Sequence, residues 1–296
     1  MKKNIPDSIV IDGHADFQLL SAIGAEISER AGGIDSLKLK FADLLRNCID
    51  DVIMTPKTGR RTIEELEKTE KTYIGTRVEI ELMATLGLPR GNLDTEILGH
   101  DVDIKNTIGS NWMIPTEAVD NICILVAADE KKALCYLGLV VAKMPYLNAG
   151  KNKDSKKTIS AMGFQNILWL LKHHPYPPNF WRNLAPESVD RIFEGNSGNA
   201  RVKTLFREIQ KTIIDRKVIE ATAQQKDFMR RIRADKGKGT RDDLAKEGIL
   251  LLSGQYDSKL IDAFDLPKCG KSEFISYCPV SVSERLQAIE SGFSLQ

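Results

Sequence analysis

Paired cysteines are missing from this sequence. The five that are present (Cys48, Cys123, Cys135, Cys269 and Cys278) are odd in number, scattered, and form no CxxC motif. That argues against a zinc ribbon and a disulfide framework, and fits reduced thiols in a cytoplasm. A long apolar run is missing too. None follows the Met-Lys-Lys start, so neither a signal peptide nor a membrane span is expected. No internal repeat or low-complexity tract occurs. Excess charge of either sign is absent, since the formal net charge is +1, which by itself excludes no partner.

The sequence does have material for a core. Its 296 residues are 42% apolar, enough to fill one or two domains. Its basic charge is also concentrated. Between Arg201 and Arg241, thirteen Lys or Arg stand against five Asp or Glu, a local excess that suits a polyanion or a solvated surface.

Periodicity divides the chain. Leu37, Phe41, Leu44, Leu45, Cys48 and Val52 fall on one face of a helix from Leu37 to Val52. A short helix is expected at Thr62, with Glu65 completing a capping box, and a third near Thr76. Leu88-Pro89-Arg90-Gly91-Asn92 breaks that third helix. Strands are expected over Leu93–Leu98 and Asp101–Lys105, turning at Gly99. Asn121–Ala128 and Ala133–Val141 read as paired buried strands around a polar turn. Ile159–Leu171 reads as a helix covering that sheet. The first half is thus a mixed α/β domain, residues 1–174. The proline-rich stretch from His174 to Asn179 supplies a linker, placed at 175–182. The remainder, 183–296, is mainly helical. Helices are expected over Pro186–Phe193, Ala200–Thr212, Val218–Arg233, Thr240–Glu247 and Ser258–Phe264, with a short strand at Ile249–Leu252.

Asp101-Val102-Asp103-Ile104-Lys105 alternates strictly. On a strand, Val102 and Ile104 face a core while Asp101, Asp103 and Lys105 share the other face. Asp94, nine residues before Asp103, reaches the same place across a turn at Gly99. Two carboxylates offer hard oxygen ligands to Mg²⁺, and an ammonium beside them offsets charge growing on a phosphate. Glu79 would complete the set as a ligand or as a base acting through water. The short pattern recurs at Glu130/Lys132, Asp154/Lys156, Asp215/Lys217 and Asp257/Lys259, and an exposed ion pair on a sheet edge fits it as well. Thr76-x-x-Glu79 also has the form of a capping box.

A wider likeness adds to these residues. The run from Lys68 to Glu79, Leu93-Asp94, Gly99 to Lys105, Trp112 to Glu117 and Asn152 to Lys156 resembles the catalytic core of the NaeI restriction endonuclease family. Ala223 to Arg233 and Arg241 to Ile249 extend the resemblance over most of the chain, in the same order. It implies a homodimer in which a PD-(D/E)xK nuclease domain precedes a winged helix-turn-helix domain. Both domains would bind duplex DNA, with the second site activating cleavage at the first. Carried onto matching positions, Asp94, Asp103 and Lys105 are the catalytic set, and Glu79 matches the family's additional acid. Asp94, Asp103 and Glu79 would hold Mg²⁺. Products with 5′-phosphate and 3′-hydroxyl ends, restriction of foreign DNA, and a partner DNA methyltransferase are implied as well. Thr95 departs from the pattern, where an aromatic residue is more typical.

In the second half, Arg230, Arg231, Arg233, Lys236, Lys238 and Arg241 are the DNA-binding candidates. Gly237 and Gly239 would let backbone N–H groups approach phosphate, beside a helix N-terminus at Thr240. The helix over Ser258–Phe264 is a candidate recognition helix. Two other readings stay open: a DNA-repair endonuclease that nicks one strand, and a DNA-binding regulator whose nuclease half is inactive.

Overall fold

The computed structural model describes residues 5–151, 154–225, 232 and 239–295. The chain forms two compact units. One is Met1–Ile53 with Thr62–Asn179, the other Met54–Arg61 with Phe180–Gln296.

The first unit is built on a five-stranded sheet of order β1-β2-β4-β5-β8. Its strands are β1 (Thr95–Ile97), β2 (His100–Thr107), β4 (Ile122–Asp129), β5 (Leu134–Val141) and β8 (Leu168–Pro175). Only β2 and β4 run parallel; the other neighbours are antiparallel. Strands β4 and β5 are apolar on both faces because the sheet is covered on both. Ile122, Ile124, Val126 and Ala128 enter one core, with helices α1 (Phe17–Ala31), α2 (Ile34–Ile53) and α4 (Lys68–Leu86). Cys123, Leu125 and Ala127 enter another, with Trp112, Ile114, Phe164 and Ile167. A small sheet of β3 (Met113–Ile114), β7 (Lys157–Ile159) and β6 (Leu147–Lys151) belongs to the same unit. Strand β2 departs from its neighbours: Val102 and Ile104 join the helix-side core, but the alternate positions hold Asp103 and Lys105.

Two expectations are corrected here and one helix is added. Helix α1 buries Leu20, Ile23 and Ile27 and ends at Gly32, whose φ is +91°, yet the pattern reading did not register it. Helix α4 begins at Lys68, with its capping box made by Glu67 and Glu70. Its first turns are polar and Ile74 is the first buried residue, so apolar spacing alone starts the helix too late. Thr76 and Glu79 therefore stand mid-helix and form no cap. The expected helix over Ile159–Leu171 is only α5 (Ala161–Gln165), followed by β8. Continuous apolar runs do not separate buried strand from helix. Strand β8 lies at the sheet edge and ends at Pro175, whose missing N–H costs nothing there.

The second unit carries an antiparallel sheet of order β10-β11-β9, from β10 (Leu250–Ser253), β11 (Glu273–Tyr277) and β9 (Ile214–Asp215). Leu251 and Phe274 face a core with α6 (Pro186–Phe193), α7 (Gly198–Glu208) and α8 (Arg216–Ala223). Leu250, Leu252, Ile275 and Tyr277 face another, with α10 (Ser258–Ala263) and Ala288 of α11 (Val282–Glu290). Helix α9 (Thr240–Lys246) precedes β10. Helix α10, the candidate recognition helix, connects β10 to β11; it commits Leu260 and Ile261 to the core and leaves Ser258, Lys259 and Asp262 exposed.

All five cysteines are free thiols, of which Cys48, Cys123 and Cys135 are buried. Burial pushes the Cys48 and Cys135 thiols up to about 12, and Cys123 up as well. Iodoacetamide at pH 8 should therefore label Cys269 and Cys278 first in the native protein, as read by mass spectrometry. The buried three should label only after unfolding.

Candidate active site

The β1–β2 hairpin fixes the geometry. Its two-residue turn, Leu98-Gly99, has φ of +51° and +78°, as a turn matching the strand twist requires. Register follows from it: Ile97 pairs with His100 and Thr95 with Val102. One step further, Asp94 comes level with Asp103. Asp94 lies in the bend just before β1, and its Oδ2 accepts the Ile104 N–H at 2.6 Å.

Lys105 closes the cluster. Its Nζ lies 2.5 Å from Asp103 Oδ1 and 3.6 Å from Asp94 Oδ2. The three groups sit together at a partly open patch. The side chains of Lys105 and Asp94 are 24% and 19% exposed, and Asp103 is buried with only 5% of its side chain exposed. Asp103 Oδ2 is buried and receives no hydrogen bond from a donor among the described residues. Burial pushes the Asp103 carboxyl up to about 6, and the Asp94 carboxylate adds to the rise, although Lys105 opposes it. Burial alone would lower Lys105, but the hydrogen bond from its ammonium to Asp103 and the two carboxylates hold it above its ordinary value. The cluster thus sets two carboxylates against one ammonium, with Asp103 Oδ2 buried.

Glu79 is not gathered with these groups. It stands on α4, which packs on the Val102/Ile104 side of β2, and its Oε1 lies 3.3 Å from Arg90 Nη1. Among the described residues, no three His, Cys, Asp or Glu converge to hold a metal ion. The set that fits a divalent cation is therefore the pair Asp94 and Asp103, with Asp103 Oδ2 buried and unserved.

Two residues named from the sequence, Asp101 and Thr95, make structural contacts here. Asp101 turns away from the cluster and accepts the Asn92 N–H on Oδ1 at 2.7 Å and the Asn92 side-chain amide on Oδ2 at 2.8 Å. These hydrogen bonds hold its carboxyl below the usual range. The signal was available, because Asn92 precedes Asp101 by the same nine residues that separate Asp94 from Asp103. Thr95 is fully buried and its hydroxyl donates to Pro89 O at 2.6 Å, a packing role in place of an aromatic.

In the second unit, Arg230, Arg231, Arg233, Lys236 and Lys238 lie outside the described residues. Arg241 is held internally. It donates to Leu251 O at 3.0 Å, pairs with Asp257, and lies over the Phe293 ring at 5.0 Å. The cap of α9 is Gly239, while the buried Thr240 hydroxyl donates to Asn199.

The family model described as Restriction endonuclease NaeI matches residues 32–293. The chain belongs to the NaeI family of type II restriction endonucleases, site-specific deoxyribonucleases. A curated relative, Type II restriction enzyme NaeI from Lentzea aerocolonigenes, is 33% identical over 255 residues, covering 83% of this chain and 80% of the relative. Within this family the turn before β1 becomes testable. A Cβ on Gly91 would stand 2.4 Å from Thr95 O and 2.7 Å from Asp101 Oδ1. Gly91→Ala should therefore cost about 1–3 kcal/mol of stability and slow DNA cleavage, by melting and by digestion of unmodified DNA.

Proposed function

We propose that this chain hydrolyses both strands of duplex DNA at a specific short site, with Mg²⁺ held by Asp94 and Asp103. The observation that carries this reading is Asp103 Oδ2, buried and without a donor, beside Asp94 and Lys105. Two hard carboxylates that leave room for water and substrate oxygens suit Mg²⁺. When bound, Mg²⁺ would supply a Lewis acid for the scissile phosphate and lower the pKa of a water. Lys105, fixed between the two acids, orients the attacking water and offsets charge growing on the phosphate oxygens. The Ile104 N–H keeps Asp94 aimed across the hairpin. Glu79, the family-matched acid, stays with Arg90 outside this arrangement.

The nuclease is assigned to the unit containing the five-stranded sheet, as a PD-(D/E)xK core. The other unit is assigned DNA binding through a winged helix, whose occupation activates cleavage. Its support is the sheet order β9-β11-β10 behind α7 and α8. A cleft of about 470 Å³ adds to it, lined by Arg216 and Lys271 with Tyr256 and Phe274, and by Arg241, which stays paired with Asp257. A homodimer acting in the cytoplasm, beside a methyltransferase that protects host sites, completes the reading. Among the described residues no helix is long and apolar enough to cross a membrane.

Digesting unmodified phage DNA with Mg²⁺ and sequencing the ends tests it. Discrete fragments whose 5′-phosphate ends share one sequence are expected, and a short duplex carrying that sequence should accelerate cutting. A supercoiled plasmid that stops at open circle would replace this reading with single-strand nicking. Specific binding without cleavage would make the chain a regulator.

A further inference from the structure

We propose that Asp101 is the positioning residue of the cleavage site, fixing Asp94 in place without touching the reacting atoms. The inference rests on Asp94 and Asp103 being the metal-holding pair. Asp94 does not lie in a strand. The segment leading to it is tied to the sheet at its start, by an isolated bridge from Arg90 to Thr95, a 3.3 Å bond from Glu96 N to Pro89 O and the Thr95 hydroxyl on Pro89 O at 2.6 Å. What fastens its middle is Asp101. One carboxylate oxygen takes the Asn92 N–H and the other takes the Asn92 amide, at 2.7 and 2.8 Å. Glycine at 91 makes that approach possible, since a Cβ there would collide with Asp101 Oδ1.

The arrangement gives alternate residues of β2 three tasks. Asp101 holds the turn, Asp103 offers an oxygen to a cation, and Lys105 supplies the ammonium. Both Asp101 oxygens already accept hydrogen bonds, so its effect on the cation passes through Asn92 and Asp94. Removing it leaves the Asn92 N–H without its acceptor and frees the turn, and Asp94 then loses its fixed aim at Ile104 and Lys105. Partners that orient ligands in this way typically change metal affinity or activity about 10–100-fold.

The test uses the full chain as wild type, Asp101→Ala, Asp101→Asn, Asn92→Ala and Asp103→Asn. The Mg²⁺ dependence of melting is recorded without DNA, together with the Mg²⁺ half-saturation of cleavage and KM for DNA. Asp101→Ala should raise the Mg²⁺ requirement at least about tenfold in both readouts and leave KM within about twofold. Asp101→Asn, which keeps an acceptor for the backbone N–H, should recover part of the loss, and Asn92→Ala should shift the same way. If Asp101→Ala does not fold, these two variants carry the test. Folded variants with wild-type Mg²⁺ dependence, or with a change confined to KM, overturn the proposal. A wild-type protein that neither binds nor needs a divalent cation, and matches Asp103→Asn, overturns the metal-holding pair instead.

Discussion

Asp103→Asn protein is expected to lose DNA cleavage by at least about 10³-fold and yet melt at a higher temperature than wild type in metal-free buffer at pH 7.5. The two effects have one cause. Asp103 is buried with an unserved oxygen, and burial raises its carboxyl to about 6. A folded-state pKa above the unfolded value of about 3.9 means the native protein binds more protons between those limits. Stability from this group therefore falls as pH rises from about 4 to 6, and the full cost persists above 6. Asparagine removes that cost while filling the same volume. One pKa unit corresponds to about 1.4 kcal/mol, and the variant also forfeits the ionic part of the Lys105 contact, so a net gain of roughly 1–2 kcal/mol is expected. At about 2–4 °C per kcal/mol, melting detects it. The gain should shrink toward pH 4. Added Mg²⁺ should raise the melting temperature of wild type and leave the variant nearly unmoved.

Lys105→Met should also abolish cleavage, but with the opposite effect on stability. Methionine keeps the length of the chain and removes the ammonium that lies 2.5 Å from Asp103 and 3.6 Å from Asp94. Two neighbouring carboxylates are then left facing each other, one of them buried. Breaking a buried pair from one side typically costs about 3–5 kcal/mol, and the lower end suits a lysine that is 24% exposed. The loss should be greatest above pH 6 and in metal-free buffer, because protonation of Asp103 or binding of a cation relieves it. Mg²⁺ should therefore stabilise Lys105→Met at least as strongly as wild type. The double variant Asp103→Asn/Lys105→Met should recover much of the stability and none of the cleavage. Opposite effects of the two substitutions would separate the proposed cation-holding role of Asp103 from the proposed role of Lys105 in the chemistry.

The parts of this structure governed by local alternation were legible in the sequence. Apolar spacing over Val102 and Ile104 and a turn at Gly99 offered to bring Asp94, Asp103 and Lys105 together, the resemblance to the NaeI family singled them out among several acid-x-Lys patterns, and the three side chains do lie side by side. Strands β4 and β5 were legible because an eight-residue apolar run with a polar turn has few other uses. What was not legible depended on partners distant in sequence. Ile159–Leu171 reads as one helix, and only β5 lying beside it shows that Leu168 to Leu171 are strand. The two-residue β9 exists only because β11 pairs with it. Glu79 has the residue type of a metal ligand, but which way it faces is set by the packing of α4 on β2, and that turns it toward Arg90. Arg241 has the charge of a phosphate contact, and only the folded unit shows Asp257, Leu251 and Phe293 holding it.

The most direct measurement is the single-turnover cleavage rate of Asp103→Asn beside wild type, on one duplex carrying the mapped site, with saturating protein and Mg²⁺. Fast cutting by wild type and none by a variant that still binds the duplex is the predicted result. Equal rates for the two proteins would contradict it, because the scissile phosphate would then be reacting somewhere other than at Asp94, Asp103 and Lys105.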